Sequence, residues 1–181
     1  MKTDFKLFYN LDNYLYEVVT KKFKKDGYLS AVDFFCIVIW KANRSKTKIA
    51  RKLVKRGHSD LDEAIKELTS KIANQKDNKE KLRVLVDDWK FRLPMSTAIL
   101  AVLYPSEFSV YDYRVCESLG QHNDVLKAKT FDQLWDRYSY FLKDVKEAGP
   151  ESLSLKDKDC YLWGMSFYNQ LVTDVKGNFK K

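Results

Sequence analysis

Two features of this chain have the residue types and spacing to do chemistry. The first is the segment Lys41–Arg56, which holds eight basic residues and no acid. Residues 1–58 carry 14 Lys and Arg against 5 Asp and Glu, while residues 59–181 carry 19 against 20, so the whole excess of +8 arises in the first third. A one-sided basic patch suits a protein that meets phosphate, although the same pattern also serves a solvated helix face. The second feature is Asp112, set between tyrosines in Ser109-Val110-Tyr111-Asp112-Tyr113-Arg114-Val115. Its carboxylate is either a fixed charge at a site or the N-cap of a helix over 113–119. Sixteen residues earlier stands Ser96, in the small and apolar run Arg92-Leu93-Pro94-Met95-Ser96-Thr97-Ala98-Ile99-Leu100.

Other chemistries find little support. His58 and His122 are isolated, and Cys36, Cys116 and Cys160 lie too far apart for metal-ligand spacing. Four cysteines would be needed for an iron–sulfur cluster. No phosphate-cradling glycine loop, dinucleotide fingerprint or serine-hydrolase elbow is present. The expected cofactor and metal content is therefore none, with reduced thiols. Phe34–Trp40 is an apolar run of seven residues, too short to span a bilayer. Met1-Lys2-Thr3-Asp4-Phe5 lacks the apolar stretch of a secretory signal. These features point to a cytoplasmic protein without a membrane partner, expected to be a monomer.

The elements that must position these residues are helical. Four candidate N-caps each have a polar partner three residues on: Ser30 with Asp33, Ser59 with Asp62, Thr130 with Gln133, and Ser154 with Asp157. Leu61, Ile65, Leu68 and Ile72 share one helix face. Leu134, Trp135, Tyr138, Phe141, Leu142 and Val145 share another, stopped by Gly149-Pro150. Ile49, Ala50, Leu53 and Val54 face inward from a helix whose other side carries Lys48, Arg51, Lys52, Lys55 and Arg56, with Gly57 as its C-cap. Further helices are expected near 4–20, 31–43, 78–89, 94–104, 112–119 and 155–171. Residues 108–115 are also compatible with extended chain. The segment 74–78 reads as an exposed polar loop, and 176–181 as a fraying tail.

The run Lys90-Phe91-Arg92-Leu93-Pro94-Met95-Ser96-Thr97-Ala98, followed by Asp112 and Leu119-Gly120, resembles the core of the helix-hairpin-helix DNA glycosylases. The resemblance spans roughly residues 30–165. It implies an all-α fold with two helical lobes around a cleft, organised as a single domain over 1–181. In that arrangement residues of about 30–120 form the central region, and the terminal helices form the second lobe. It implies a base-excision repair hydrolase that acts on double-stranded DNA, with Asp112 steadying positive charge on the deoxyribose as a damaged base departs. Arg92 and Pro94 stand where the family has its two hairpin glycines, so the side chains of Lys90 and Arg92 are expected to help grip DNA beside Ser96 and Thr97. Ser96 also replaces the lysine nucleophile of bifunctional members, implying a monofunctional enzyme.

The apolar helix ending in Trp40, Lys41, Asn43 and Arg44 corresponds to the loop that fills the gap left by a flipped base. With Lys48, Arg51, Lys52 and Lys55 these residues complete the expected DNA surface. Trp40, Tyr111 and Tyr113 are pocket candidates. Leu155–Trp163 resembles the C-terminal helix of glycosylase-like proteins, where Asp159 and Trp163 are expected to be structural. Two other readings stay open: a non-catalytic DNA-binding protein on the same scaffold, and a basic domain that meets an acidic protein partner.

Overall fold

The computed structural model describes residues 4–58 and 60–179. Among them the regular structure is entirely helical. The chain forms two compact units, Met1–Pro105 and Ser106–Lys181.

The first unit opens with a 3-10 turn, Phe5–Tyr9, and then α1 (Leu11–Tyr14). A π-helical stretch, Leu15–Val19, leads into α2 (Thr20–Asp26). Next come α3 (Ala31–Ala42), a 3-10 turn Asn43–Ser45 and α4 (Lys46–Val54). The unit continues with α5 (Leu61–Ala73), α6 (Asn78–Arg83), a π-helical stretch Val84–Asp88 and α7 (Leu93–Leu103). α7 is the centre of this unit, with every residue buried except Pro94. The Thr20 hydroxyl donates to the Val102 carbonyl at 2.6 Å and so ties α2 to α7. The buried Asp33 carboxylate joins three elements, taking the Tyr14 hydroxyl at 2.5 Å and the Lys22 ammonium at 3.0 Å. A buried charge of this kind is tolerated because it is paired and hydrogen-bonded.

The second unit runs through the non-helical residues 108–112 into α8 (Tyr113–Leu119). A 3-10 turn, Val125–Lys127, precedes α9 (Phe131–Glu147) and α10 (Leu155–Lys176). The turn before α10 needs glycine. Gly149 has φ 70°, and a Cβ there would stand 3.2 Å from the Tyr161 ring.

The expected caps at Ser30, Thr130 and Ser154 are present. In all three the partner binds differently, Gln133 accepting from the Lys129 N–H at 3.0 Å. Asp33 and Asp157 each accept the cap hydroxyl rather than its backbone N–H. Aspartate is one methylene shorter than the glutamate of a full capping box, so the nearer group wins. The cap expected at Ser59 lies outside the described residues. Asp60 caps α5 by accepting from the Glu63 N–H at 2.8 Å. Asp62 reaches across to the Ala31 N–H at the start of α3. Part of the expected fraying tail, Lys180 and Lys181, also lies outside the described residues. α10 persists to Lys176, five residues beyond the expected end.

Candidate nucleic-acid interface

α4 has a dry side and a charged side. Ile49 and Leu53 are buried, while Arg44, Lys48, Arg51 and Lys55 are exposed on the other side. With Thr47 and the half-buried Lys52, these four line an open depression of about 640 Å³. Among the described residues, none of the four forms an ion pair or a side-chain hydrogen bond. The depression is thus a cluster of like charges without internal neutralisation, an arrangement that a bound anion relieves.

Two other cations of this segment are committed to the fold. Lys52 donates to the Lys90 carbonyl and lies 5.6 Å from the Phe91 ring centre. Arg56 donates to the Asp88 carbonyl and stacks 4.2 Å from the Trp89 ring centre. Both therefore fasten α4 to the loop between the Val84–Asp88 stretch and α7. Burial lowers the Lys52 pKa, and the neighbouring positive charges of Lys48 and Arg92 lower it further. That proximity brings exposed Arg92 to the same charged surface as α4. Lys52 spends one of its three N–H donors on the Lys90 carbonyl while still lining the depression.

The loop before α7 and the first turn of that helix hold Arg92 and Pro94, the two positions expected to replace glycine. Arg92 has φ −75° as the residue preceding α7, and Pro94 occupies the first turn, where its lack of an N–H costs little. Neither position calls for glycine. The left-handed position is Lys90, with φ 56°, and its side chain is exposed. Ser96 and Thr97, expected beside DNA, are instead buried in α7. Their hydroxyls donate to the carbonyls of Arg92 at 3.2 Å and Leu93 at 2.9 Å. Small residues with satisfied hydroxyls let a fully buried helix pack closely, and this packing is what those positions do.

The end of α3 and the turn after it are partly accessible. Trp40 is half-buried and meets Tyr16 edge-on, with ring centres 6.2 Å apart. Lys41 is half-buried as well. Asn43 is exposed and accepts from the Lys46 ammonium at 2.9 Å.

Asp112 lies in the second unit and caps α8, one carboxylate oxygen accepting from the Arg114 N–H at 3.0 Å. It is half-buried. The non-helical chain leading to it is fixed by Asp159 on α10, which accepts from the Ser109 hydroxyl at 2.9 Å and the Val110 N–H at 3.3 Å. The buried Tyr138 hydroxyl donates to the Ser109 carbonyl at 2.7 Å. Asp159 thus anchors Ser109 and Val110, a few residues before Asp112. Its sequence signal is the placement of two charges, Lys158 and Asp159, on the α10 face that also carries buried Leu162.

The two tyrosines beside Asp112 part company. Tyr113 is exposed. Tyr111 is buried edge-on against Phe141 and donates to the His122 carbonyl at 2.7 Å. Burial holds the Tyr111 phenol above its ordinary pKa and moves the Cys116 thiol up to about 11. Tyr111 is therefore a core residue rather than a pocket wall.

No family model, curated protein or solved structure matches the chain. Among the described residues no helix is long and apolar enough to cross a membrane.

Proposed function

We propose that the chain binds double-stranded DNA by its phosphate backbone, through Arg44, Lys48, Arg51 and Lys55 with Lys90 and Arg92 beside them. The observation that carries this reading is the exposed state of these four cations, in and flanking α4, around one depression, without an ion pair among the described residues. Charge partition supports it. Residues 1–105 hold 22 basic against 13 acidic residues, and residues 106–181 hold 11 against 12. Binding of this kind fixes position on a duplex without reading its sequence, so affinity should vary little with sequence and fall steeply with salt.

The test is a salt titration of duplex binding by the full chain and by a variant with all four cations replaced by glutamine. The variant should bind unrelated duplexes more weakly and show a flatter slope of log affinity against log salt, by about 0.9 for each phosphate no longer neutralised. An unchanged affinity and slope would favour an acidic protein partner for this face.

Base excision is the second reading, favoured by the way Asp112 is held. Its carboxylate is half-buried, fixed by the Arg114 N–H, and approached by a segment pinned by Asp159 and Tyr138. A carboxylate held in place before reaction is suited to stabilising an oxocarbenium-like sugar. With Ser96 buried and bonded to a main-chain carbonyl, the chemistry would be monofunctional hydrolysis by water.

A further inference from the structure

We infer that α8 and α10 form a stacking platform for the bases of single-stranded nucleic acid. The inference rests on the nucleic-acid reading above but concerns a different surface, in the other unit. Trp163 and Phe167 sit one turn apart on α10, 43% and 44% exposed, with their rings stacked at 5.5 Å and an interplanar angle of 12°. α8 adds Tyr113, 62% exposed, and Arg114. The Arg114 guanidinium lies 5.2 Å from the Tyr113 ring centre, 5.3 Å from that of Trp163 and 5.4 Å from that of Phe167. It donates to the Ser166 hydroxyl at 3.4 Å, and among the described residues it has no carboxylate in ion-pair range. Glu117, one turn further along α8, accepts the Ser166 hydroxyl instead. The Ser118 hydroxyl donates to the Leu162 carbonyl at 2.6 Å and locks the two helices together.

The chemistry narrows the occupant. An apolar partner would strip water from Arg114 without supplying a counter-charge. A cationic ligand would be repelled by the same guanidinium. A simple carboxylate would leave the rings unused. A ligand that uses both features brings a flat aromatic face together with negative charge, which describes a nucleotide. A duplex keeps its base faces inside the stack, whereas a single strand can offer them. The platform is sequence-tolerant, because every base has a π-face.

The experiment uses the full chain, a labelled oligothymidylate and a duplex of equal length, with anisotropy as the readout. The Trp163→Ala, Phe167→Ala double variant should bind oligothymidylate on the order of tenfold or more weakly, with duplex affinity unchanged. Trp163→Phe should retain most of the affinity, since it keeps a π-face, and Arg114→Gln should lose affinity and flatten the salt dependence. Circular dichroism checks folding, which these exposed substitutions should spare. Unchanged oligothymidylate affinity in the double variant overturns the proposal. So does sedimentation showing that the substitutions only dissociate a self-associated chain, which would assign the face to a second copy. Failure of the α4 reading appears separately, in the duplex titration of the four-glutamine variant.

Discussion

At the scale of single residues, Asp112 carries two roles that substitution can separate. As the N-cap of α8 it satisfies a backbone N–H, and asparagine does this about as well as aspartate. As a catalytic group it must supply negative charge, which asparagine lacks. Asp112→Asn should therefore leave the urea midpoint nearly unchanged. Asp112→Ala should cost about 1 kcal/mol through loss of the cap. If the chain excises bases, the asparagine variant should lose release from oligonucleotides carrying oxidised, alkylated or deaminated bases. Release that survives Asp112→Asn would rule out the proposed mechanism. Borohydride should trap no covalent complex with DNA, since Ser96 has no amine and is sealed inside α7. A trapped complex would implicate a different amine, with exposed Lys90 the first to test. Asp112 could be singled out in the sequence because it stood between aromatic residues ahead of a helix. The burial of Tyr111 could not, because it belongs to a non-helical run, Phe108 to Tyr111, that is buried throughout by packing against residues distant in sequence such as Tyr138, Phe141 and Asp159.

At the scale of elements, helix existence was legible and loop geometry was not. Cap residues and 3.6-residue periodicity are local, so Ser30, Thr130 and Ser154 mark their helices directly. The loop before α7 is set by packing at a distance. Lys52 of α4 bonds the Lys90 carbonyl, Arg56 just beyond α4 bonds the Asp88 carbonyl at the loop's start, and Phe91 donates its N–H to the Leu85 carbonyl at 2.8 Å. Lys90 is thereby forced to φ 56°, a conformation costly for a residue with a Cβ. Lys90→Gly removes that strain, partly offset by the extra freedom glycine gives the unfolded chain. The expected net gain is about 0.5–1 kcal/mol, read as a higher urea midpoint at an unchanged slope. Duplex affinity should fall slightly as the positive charge is removed. A destabilised glycine variant would mean that the Lys90 side chain contributes packing that its exposure does not suggest.

At the scale of the whole molecule, charge partition was legible by counting, whereas the division of labour among the cations was not. Arg44, Lys48, Arg51 and Lys55 in and around α4 face solvent while Lys52 and Arg56 fasten the loop, a split that depends on which side of the helix meets Trp89 and Phe91. Both units also bury weak acids. Burial is the leading cause of the raised pKa at Tyr14 and Cys36 in the first unit, and at Tyr111, Cys116 and Tyr138 in the second. At Tyr14 and Cys36 the charge of Asp33 adds to it. Each of these groups keeps its proton longer when folded than when unfolded. Below the ordinary thiol value of 9.0 both states are protonated, and the stability from burying neutral groups is fully present. As pH rises from there toward about 11, the Cys116 value, the unfolded chain releases protons that the folded chain retains, so unfolding becomes more favourable. The urea midpoint should hold level through neutral pH and fall continuously above pH 9. Phenolate absorbance supplies the independent check. Tyr14, Tyr111 and Tyr138 should ionise only together with loss of helical ellipticity. A smooth titration of all the tyrosines with the helices intact would show that these phenols are not shielded as the packing around Phe141 and Asp33 requires.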